Sequence, residues 1–314
     1  MKEKLLITGS SGYLGREIIS DPRIKKFEII TLDKNKVSNP DIHVDLNSQK
    51  LEDILSRTLD LEVNYSILNL AAARTDYATN DTYFLENIKA TENFLSVLDS
   101  MKVYVKKFIH LSSVAIFEGF QLMEEEVCFD ELSSDNCYQY SKATQERIIT
   151  KWAEKNNIEL TVIRPSAIFS KNQPRNTNIG KLIFFTKYSP IIFMSPVKKS
   201  LTYIKNLTDN IFESLTSNNH GIMLAIEKPV TSLYEIQKMI LERKKFPSLK
   251  IFLNKKILLK ISTIYSKVFS LFFSDPVFTP NRVEKFFKDT AEFEEGNLEY
   301  KQNVSLKKAF KDSL

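Results

Sequence analysis

The chain has 314 residues, 43% of them hydrophobic and 26% charged, with a formal net charge of +5. That length exceeds what one small core organises and allows two packed lobes, and the balance is ordinary for a soluble globular protein. Its lysines are spread along the chain without forming a dense stripe, which argues against a nucleic-acid surface and leaves attraction to small anions.

Cys128 and Cys137 have no repeated spacing and read as free thiols in a reducing compartment. His43, His110 and His220 are scattered, so neither a zinc site nor a Ser-His-Asp arrangement is expected. Met1-Lys2-Glu3-Lys4 leads straight into a strand-like run, so no secretory leader and a cytoplasmic location are expected.

Leu5-Leu6-Ile7 is an apolar run bounded by charge and predicts a buried strand. It enters Thr8-Gly9-Ser10-Ser11-Gly12-Tyr13-Leu14-Gly15 and then a helical segment to about Ser20. Strand, glycine-rich turn and helix in succession are the setting in which a pyrophosphate rests on amides at a positive helix end. Gly9 permits the tight turn, Gly12 the approach of backbone to phosphate, and Gly15 close helix–strand packing. Residues 27–32 predict the second strand, followed by Asp33. A carboxylate there accepts from an adenosine ribose and repels a 2′-phosphate, so NAD is expected over NADP, although Lys34 and Lys36 could pair with a phosphate.

His43-Val44-Asp45-Leu46 reads as a short third strand ending beside the adenine, and residues 47–59 have helical spacing. Residues 65–70 predict a fourth strand closed by Ala71-Ala72-Ala73, whose small side chains let the backbone pass close to a cofactor. Residues 81–101 predict one long amphipathic helix with Phe84, Ile88, Thr91, Leu95 and Leu98 in a stripe. A fifth strand, 108–111, ends in Ser112-Ser113; a loop to Asn136, a helix to about Lys155 and a sixth strand, 159–164, stopped by Pro165, complete the pattern. This alternation implies a Rossmann-type doubly wound parallel sheet, with Gly9, Asp33, Ala71 and Ser113 at its ligand-binding carboxyl edge.

The helix that follows this loop carries Tyr138-Gln139-Tyr140-Ser141-Lys142. Tyr138 and Lys142 lie one turn apart on the same face, whereas Tyr140 points elsewhere. A phenol titrating near ~10 is a poor base at neutral pH, and a nearby ammonium brings it towards the working range.

Together these motifs resemble the extended short-chain dehydrogenase/reductase family, in its nucleotide-sugar epimerase/dehydratase branch. The resemblance is carried by the glycine turn 8–15, Asp33, Asp45-Leu46, Asn69-Leu70-Ala71-Ala72-Ala73 and Asn87. It continues through Leu111-Ser112-Ser113-Val114-Ala115-Ile116-Phe117, Tyr138-x-x-x-Lys142 and Arg164-Pro165. Ser112 and Ser113 compete for the catalytic hydroxyl, and setting Ile116-Phe117 on the family's Val-Tyr step selects Ser113. The resemblance implies Ser113, Tyr138 and Lys142 as catalytic residues. It implies cofactor contacts from Gly9, Ser11, Gly12, Tyr13, Leu14, Gly15, Asp33, Lys34, Asp45, Leu46, Ala71, Ala72, Ala73, Tyr138, Lys142 and Pro165. Substrate contacts are implied at Ser113, Val114, Tyr138, Asn178, Lys199 and Arg282; Lys199 stands where the family has arginine, turning a bidentate phosphate contact into a point charge.

The implied architecture is an NAD-binding Rossmann domain over 1–168 and a smaller mixed α/β substrate lobe over 169–314, with part of 200–226 returning to the main sheet. The implied activity is a nucleotide-sugar 4-epimerase. Val114-Ala115 occupy the places of the Asp-Glu pair that a dehydratase uses to eliminate water, which demotes that reaction. The alternatives are a nucleotide 4-keto-sugar reductase or dehydrogenase and a non-catalytic dinucleotide-binding protein, with a lipid-alcohol oxidoreductase behind them. The expected partners are a nucleotide-diphosphate sugar and a second copy, through helices beginning near Asp81 and carrying Tyr138. Residues 255–273 read as a basic amphipathic segment, too charged to span a membrane. Packing over the substrate lobe or a partner subunit is favoured for it over a membrane surface.

Overall fold

A computed structural model describes residues 3–73, 79–125, 129, 132, 134–175, 177–242, 244, 246–269, 280–288, 293 and 296–313. In chain order the elements begin β1 (Glu3–Thr8), α1 (Tyr13–Ser20), β2 (Phe27–Asp33), β3 (Ile42–His43), α2 (Leu51–Ser56) and β4 (Tyr65–Asn69). Next come α3 (Asn80–Tyr83), a π-helical turn (Phe84–Lys89), α4 (Ala90–Ser100), β5 (Val105–Leu111), α5 (Ile116–Glu124), α6 (Ser134–Lys155) and β6 (Glu159–Pro165). The remainder is β7 (Ala167–Phe169), α7 (Asn178–Tyr188), β8 (Ile191–Met194), β9 (Lys198–Lys199), β10 (Leu201–Tyr203), α8 (Ile204–Thr216) and β11 (Gly221–Ala225). It ends with β12 (Thr231–Ser232), α9 (Leu233–Leu241), β13 (Leu249–Phe252), α10 (Lys255–Phe269), α11 (Pro280–Phe287) and α12 (Leu306–Ser313).

Two compact units result: Met1–Ser166 with Asn206–Ala225 and Glu295–Lys301, and Ala167–Lys205 with Ile226–Glu294 and Gln302–Leu314. The first unit holds a seven-stranded sheet of order β11-β6-β5-β4-β1-β2-β3, every neighbouring pair parallel. Parallel strands with helical crossovers on both faces need apolar side chains on both sides. Leu5, Leu6 and Ile7 in β1 and Ile67 and Leu68 in β4 are accordingly fully buried. The strand order reverses between β1 and β4, which opens a crevice at their carboxyl ends. Lys107, buried in β5, donates to the Leu215 and Ser217 carbonyls and thereby closes the C-terminal end of α8.

Several elements differ from their sequence pattern. The third strand is only Ile42–His43: after the Val44 amide bonds the Asp33 carbonyl, the Asp45 carboxylate accepts from the Asn47 amide and turns the chain. The following helix keeps only Leu51–Ser56 of the expected 47–59. The expected helix over 81–101 runs without a gap from Asn80 to Ser100 but takes a π-helical turn around Asn87; Phe84 of the predicted stripe is 37% exposed, while Phe94, outside it, is 1% exposed. The expected loop to Asn136 contains α5, which packs on α6 so closely that a Cβ at Gly119 would overlap the Gln139 carbonyl. Cys128 lies outside the described residues, and Cys137 is buried with its thiol directed at the Phe129 and Leu132 carbonyls.

The second unit is built on three two-stranded pairs, β10–β7, β12–β9 and β13–β8. Its core gathers Phe169, Ile179, Leu201, Tyr203, Ile236, Ile240 and Phe310, with Phe169 and Phe310 stacked at 4.5 Å.

Candidate active site

Asp33 organises the cofactor end. Its Oδ2 accepts from the Ser11 amide at 2.8 Å and its Oδ1 from the Asn35 amide at 2.7 Å, so one buried carboxylate joins the glycine turn to the exit of β2. Ser11 Oγ donates to the Asn35 carbonyl at 2.7 Å, and Arg16 Nη1 donates to the Ser11 carbonyl at 2.8 Å. Gly9 has φ 71, and a Cβ there would lie 2.7 Å from the Ala71 amide nitrogen. A side chain is thus excluded by conformation and by the passing fourth-strand loop. A Cβ on Gly15 would come within 2.5 Å of the Gly9 carbonyl, so the first turn of α1 lies directly against the glycine turn.

The resulting pocket is lined by Gly9, Ser11, Gly12, Asp33, Lys34, Asp45, Leu46, Ala71 and Ala72 among the anticipated residues, together with Leu32, Asn35, Val44, Leu70, Glu86 and Ala90. Tyr13 and Leu14 begin α1, with Leu14 turned into the core. Lys34 is held by Glu86 at 2.5 Å, which engages the cation that a 2′-phosphate would use. Exposed backbone at a helix start, a carboxylate at the second strand and small residues on the fourth fit an adenine dinucleotide with a free 2′-hydroxyl.

Ala73 is fixed by Asn87, whose Oδ1 accepts from the Ala73 amide at 2.6 Å and whose Nδ2 donates to the Ala73 carbonyl at 3.3 Å and Ser141 Oγ at 2.9 Å. Asn87 sits in the π-helical turn, so this clamp and the irregular helix occur together.

Two adjacent hydroxyls follow β5, and their surroundings differ. Ser112 is buried and donates to Glu146 Oε2 at 2.5 Å; Glu146 also pairs with Arg164 at 2.5 Å. Ser113 is half-buried, and its Oγ accepts from the Ala115 amide at 3.2 Å. Val114 donates its amide to the carbonyl of Pro165 at 3.0 Å. Arg164 also lies over the Phe117 ring at 5.3 Å.

Tyr138 is half-buried, with its ring 5.6 Å from that of Tyr83 in a cluster with Ala73, Leu132 and Cys137. One turn on, Lys142 is buried and donates from Nζ to the Leu111 carbonyl at 3.1 Å and to Gln145 Oε1 at 2.5 Å. Gln145 in turn donates to Thr91 Oγ1 and to the Ala71 carbonyl. The Tyr138–Lys142 helix is therefore tied to the end of β5, two residues before Ser113, and to the cofactor loop. Desolvation, opposed by the Glu146 carboxylate, brings Lys142 down to about 7.

Sequence reasoning named Thr8, Asn69 and Asn87 within motifs without giving them a role, and missed Glu146. Thr8 Oγ1 donates to Asn69 Oδ1 at 2.6 Å, and Asn69 Nδ2 lies 3.3 Å from His110 Nδ1. Burial, helped by the Lys142 ammonium, pushes His110 well below its ordinary range and keeps it neutral; its Nε2 has no hydrogen-bond partner among the described residues. The available signal for Glu146 was its position one turn after Lys142, and for Asn87 its amide inside an apolar helical stripe.

In the second unit, Asn178 begins α7 and is exposed, and Lys199 Nζ donates to the Lys288 carbonyl at 2.6 Å. Arg282 lies on α11, with its side chain outside the described residues.

Residues 5–186 match the model of the NAD dependent epimerase/dehydratase family, and the chain belongs to that family. It is accordingly an NAD-dependent enzyme of the epimerase/dehydratase type, with NAD as cofactor. No match was found among curated proteins. Among solved structures, the chain is similar to UDP-glucose 4-epimerase of Thermus thermophilus in complex with NAD, at 14% identity and TM-score 0.65, covering 99% of this chain and 97% of that one. It is similar to UDP-glucuronic acid 4-epimerase of Bacillus cereus with UDP-glucuronic acid and NAD, at 16% identity and TM-score 0.65, covering 99% and 97%. A third, dTDP-4-dehydrorhamnose reductase of Bacillus anthracis with NADP, has 18% identity and TM-score 0.60, covering 81% and 85%.

Asp33→Ala is expected to weaken NAD roughly tenfold or more, because a charge-assisted acceptor for the ribose and the clamp on the glycine turn are lost together. NADP should lose less, which comparative titration calorimetry reads directly. Equal losses would reduce Asp33 to a loop clamp.

Proposed function

We propose that this protein is a nucleotide-sugar 4-epimerase. The observation that carries the reading is the bond from buried Lys142 to the Leu111 carbonyl, which ties the Tyr138 helix to the end of the strand that leads into Ser113. Tyr138, as phenolate, takes the proton of the sugar C4 hydroxyl. Ser113 donates to the same oxygen while it becomes a carbonyl. Lys142 holds the nicotinamide ribose and, when protonated, favours the phenolate. The chemistry that bound NAD supplies is reversible acceptance of the C4 hydride. Turning the keto-sugar between the two hydride movements inverts C4, and Tyr138 returns the proton.

Val114 and Ala115 carry no group able to expel water, which supports epimerisation over dehydration. Two of the similar structures are 4-epimerases, which points the same way. The runner-up, reduction of a 4-keto-sugar, uses the same proton donor and is favoured by the similarity to a dehydrorhamnose reductase. Lys199, Asn178 and Arg282 are proposed to meet the nucleotide diphosphate. The enzyme is proposed to be cytoplasmic and to pair with a second copy through the segments of α3–α4 and α6, where Phe84 and Leu85 expose apolar surface.

The test is a panel of nucleotide sugars read by NMR with and without added NAD or NADH. Inversion at C4 without net cofactor consumption is expected; stoichiometric consumption identifies the reductase or dehydrogenase, and no turnover on any sugar removes both.

A further inference from the structure

The second unit is amphipathic in the wrong sense for a free surface. α10 buries Ser262 completely, while Ile257, Ile261 and Ile264 are 57%, 50% and 65% exposed. At ~100° per residue these three isoleucines form one stripe, with Lys256, Lys260 and Lys267 all along one flank. The β8–β13 pair, whose second strand directly precedes this helix, also exposes apolar side chains. Ile192 and Met194 point inward at 3% and 1% exposure, whereas Ile191 and Phe193 point outward at 43% and 56%. On β13 all four residues are exposed, among them Leu249 and Ile251, the register partners of Ile191 and Phe193. Exposed apolar surface on this scale marks an interaction site.

Charge identifies the occupant. Residues 243–274 contain eight Lys and Arg and no Asp or Glu. A second copy of this surface would set like charges against like. No helix among the described residues is long and apolar enough to cross a membrane. We propose that α10 and the outward face of the β8–β13 pair dock this protein on an anionic lipid surface, isoleucines at the acyl boundary and lysines among the headgroups. This is the geometry of an interfacial helix, with apolar burial and electrostatic attraction acting together. The opposite face of the helix, with Ser262, packs inward on the second unit and leaves the apolar stripe outward. The docking surface is independent of which reaction the first unit performs.

The test is co-sedimentation of the full chain with vesicles of phosphatidylcholine alone or with about a third phosphatidylglycerol, on the scale where anionic surface charge acts. Binding is expected only to the anionic vesicles and should fall steeply with added salt. The triple variant Lys256→Gln, Lys260→Gln, Lys267→Gln should bind on the order of a hundredfold more weakly, at roughly fivefold per lysine. Ile257→Ser, Ile261→Ser, Ile264→Ser should abolish binding. Both variants should keep wild-type NAD affinity, which reports that the chain has folded. Absence of vesicle binding, equal binding to neutral vesicles, or binding unmoved by either triple variant would overturn the proposal. So would an isoleucine variant whose only change is a lower mass by light scattering, which assigns the face to a second copy. Tighter binding to an RNA oligomer than to vesicles would overturn it as well.

Discussion

Tyr138→Phe is expected to lower turnover by about 10²–10⁴-fold while leaving NAD affinity within about twofold of wild type. The substitution removes one hydroxyl and keeps the ring that packs 5.6 Å from Tyr83, so the local cluster survives. The fall corresponds to roughly 3–5 kcal/mol of lost transition-state stabilisation, the scale of one positioned acid–base group. It should appear in kcat and kcat/KM together, since the proton is transferred only during reaction. A variant that retains more than about a tenth of wild-type turnover would remove Tyr138 from its assigned role.

Lys142→Met is expected to abolish activity and at the same time stabilise the fold at acidic pH. In the unfolded chain this lysine keeps its proton to 10.5; in the folded protein burial releases it near about 7. Between those values the folded state binds fewer protons, so the lysine's contribution to stability rises with pH across that window. Below the folded pKa the penalty is fully present, on the order of 5 kcal/mol, and it disappears above the unfolded pKa. Methionine escapes this penalty but gives up the bonds to the Leu111 carbonyl and Gln145, worth about 1 kcal/mol each. The net is a gain of roughly 3 kcal/mol at pH 6, or about 5 °C in Tm for a chain of this size. By about pH 10 the gain should have vanished or changed sign. Thermal melts of both proteins at the two pH values decide the matter: a variant less stable than wild type at both would mean that Lys142 carries no desolvation cost. Such a cost at a reacting group is the expected trade of stability for function.

The cofactor end was legible because its chemistry imposes spacing. Gly9 has no room for a side chain, Gly15 sits against the Gly9 carbonyl, and Asp33 must reach the turn from the next strand. The alternation of strands and helices likewise gave the parallel sheet, whose strands bury both faces. Where a polar side chain redirects the backbone, periodicity failed. Asp45 ends the third strand early, and the Asn87 clamp coincides with a π-helical turn inside a helix that apolar spacing reads as regular. The α5 helix was hidden because only Ile116 and Gly119 of its nine residues are buried, too few to reveal a period. The Thr8–Asn69–His110 chain joins residues 61 and 41 positions apart, and no local pattern announces such a set. Ser112 and Ser113 look equivalent in sequence; what separates them is Glu146, delivered from α6 to Ser112 alone.

The fate of the C4 hydrogen tests the central claim most directly. The nucleotide sugar that turns over is prepared with deuterium at C4 and incubated with enzyme and unlabelled NAD, and the product is read by NMR. An epimerase of the kind described returns the same hydride to the same carbon, so the inverted product keeps its deuterium and free cofactor gains none. Deuterium appearing in released NADH, or lost to water, would contradict it.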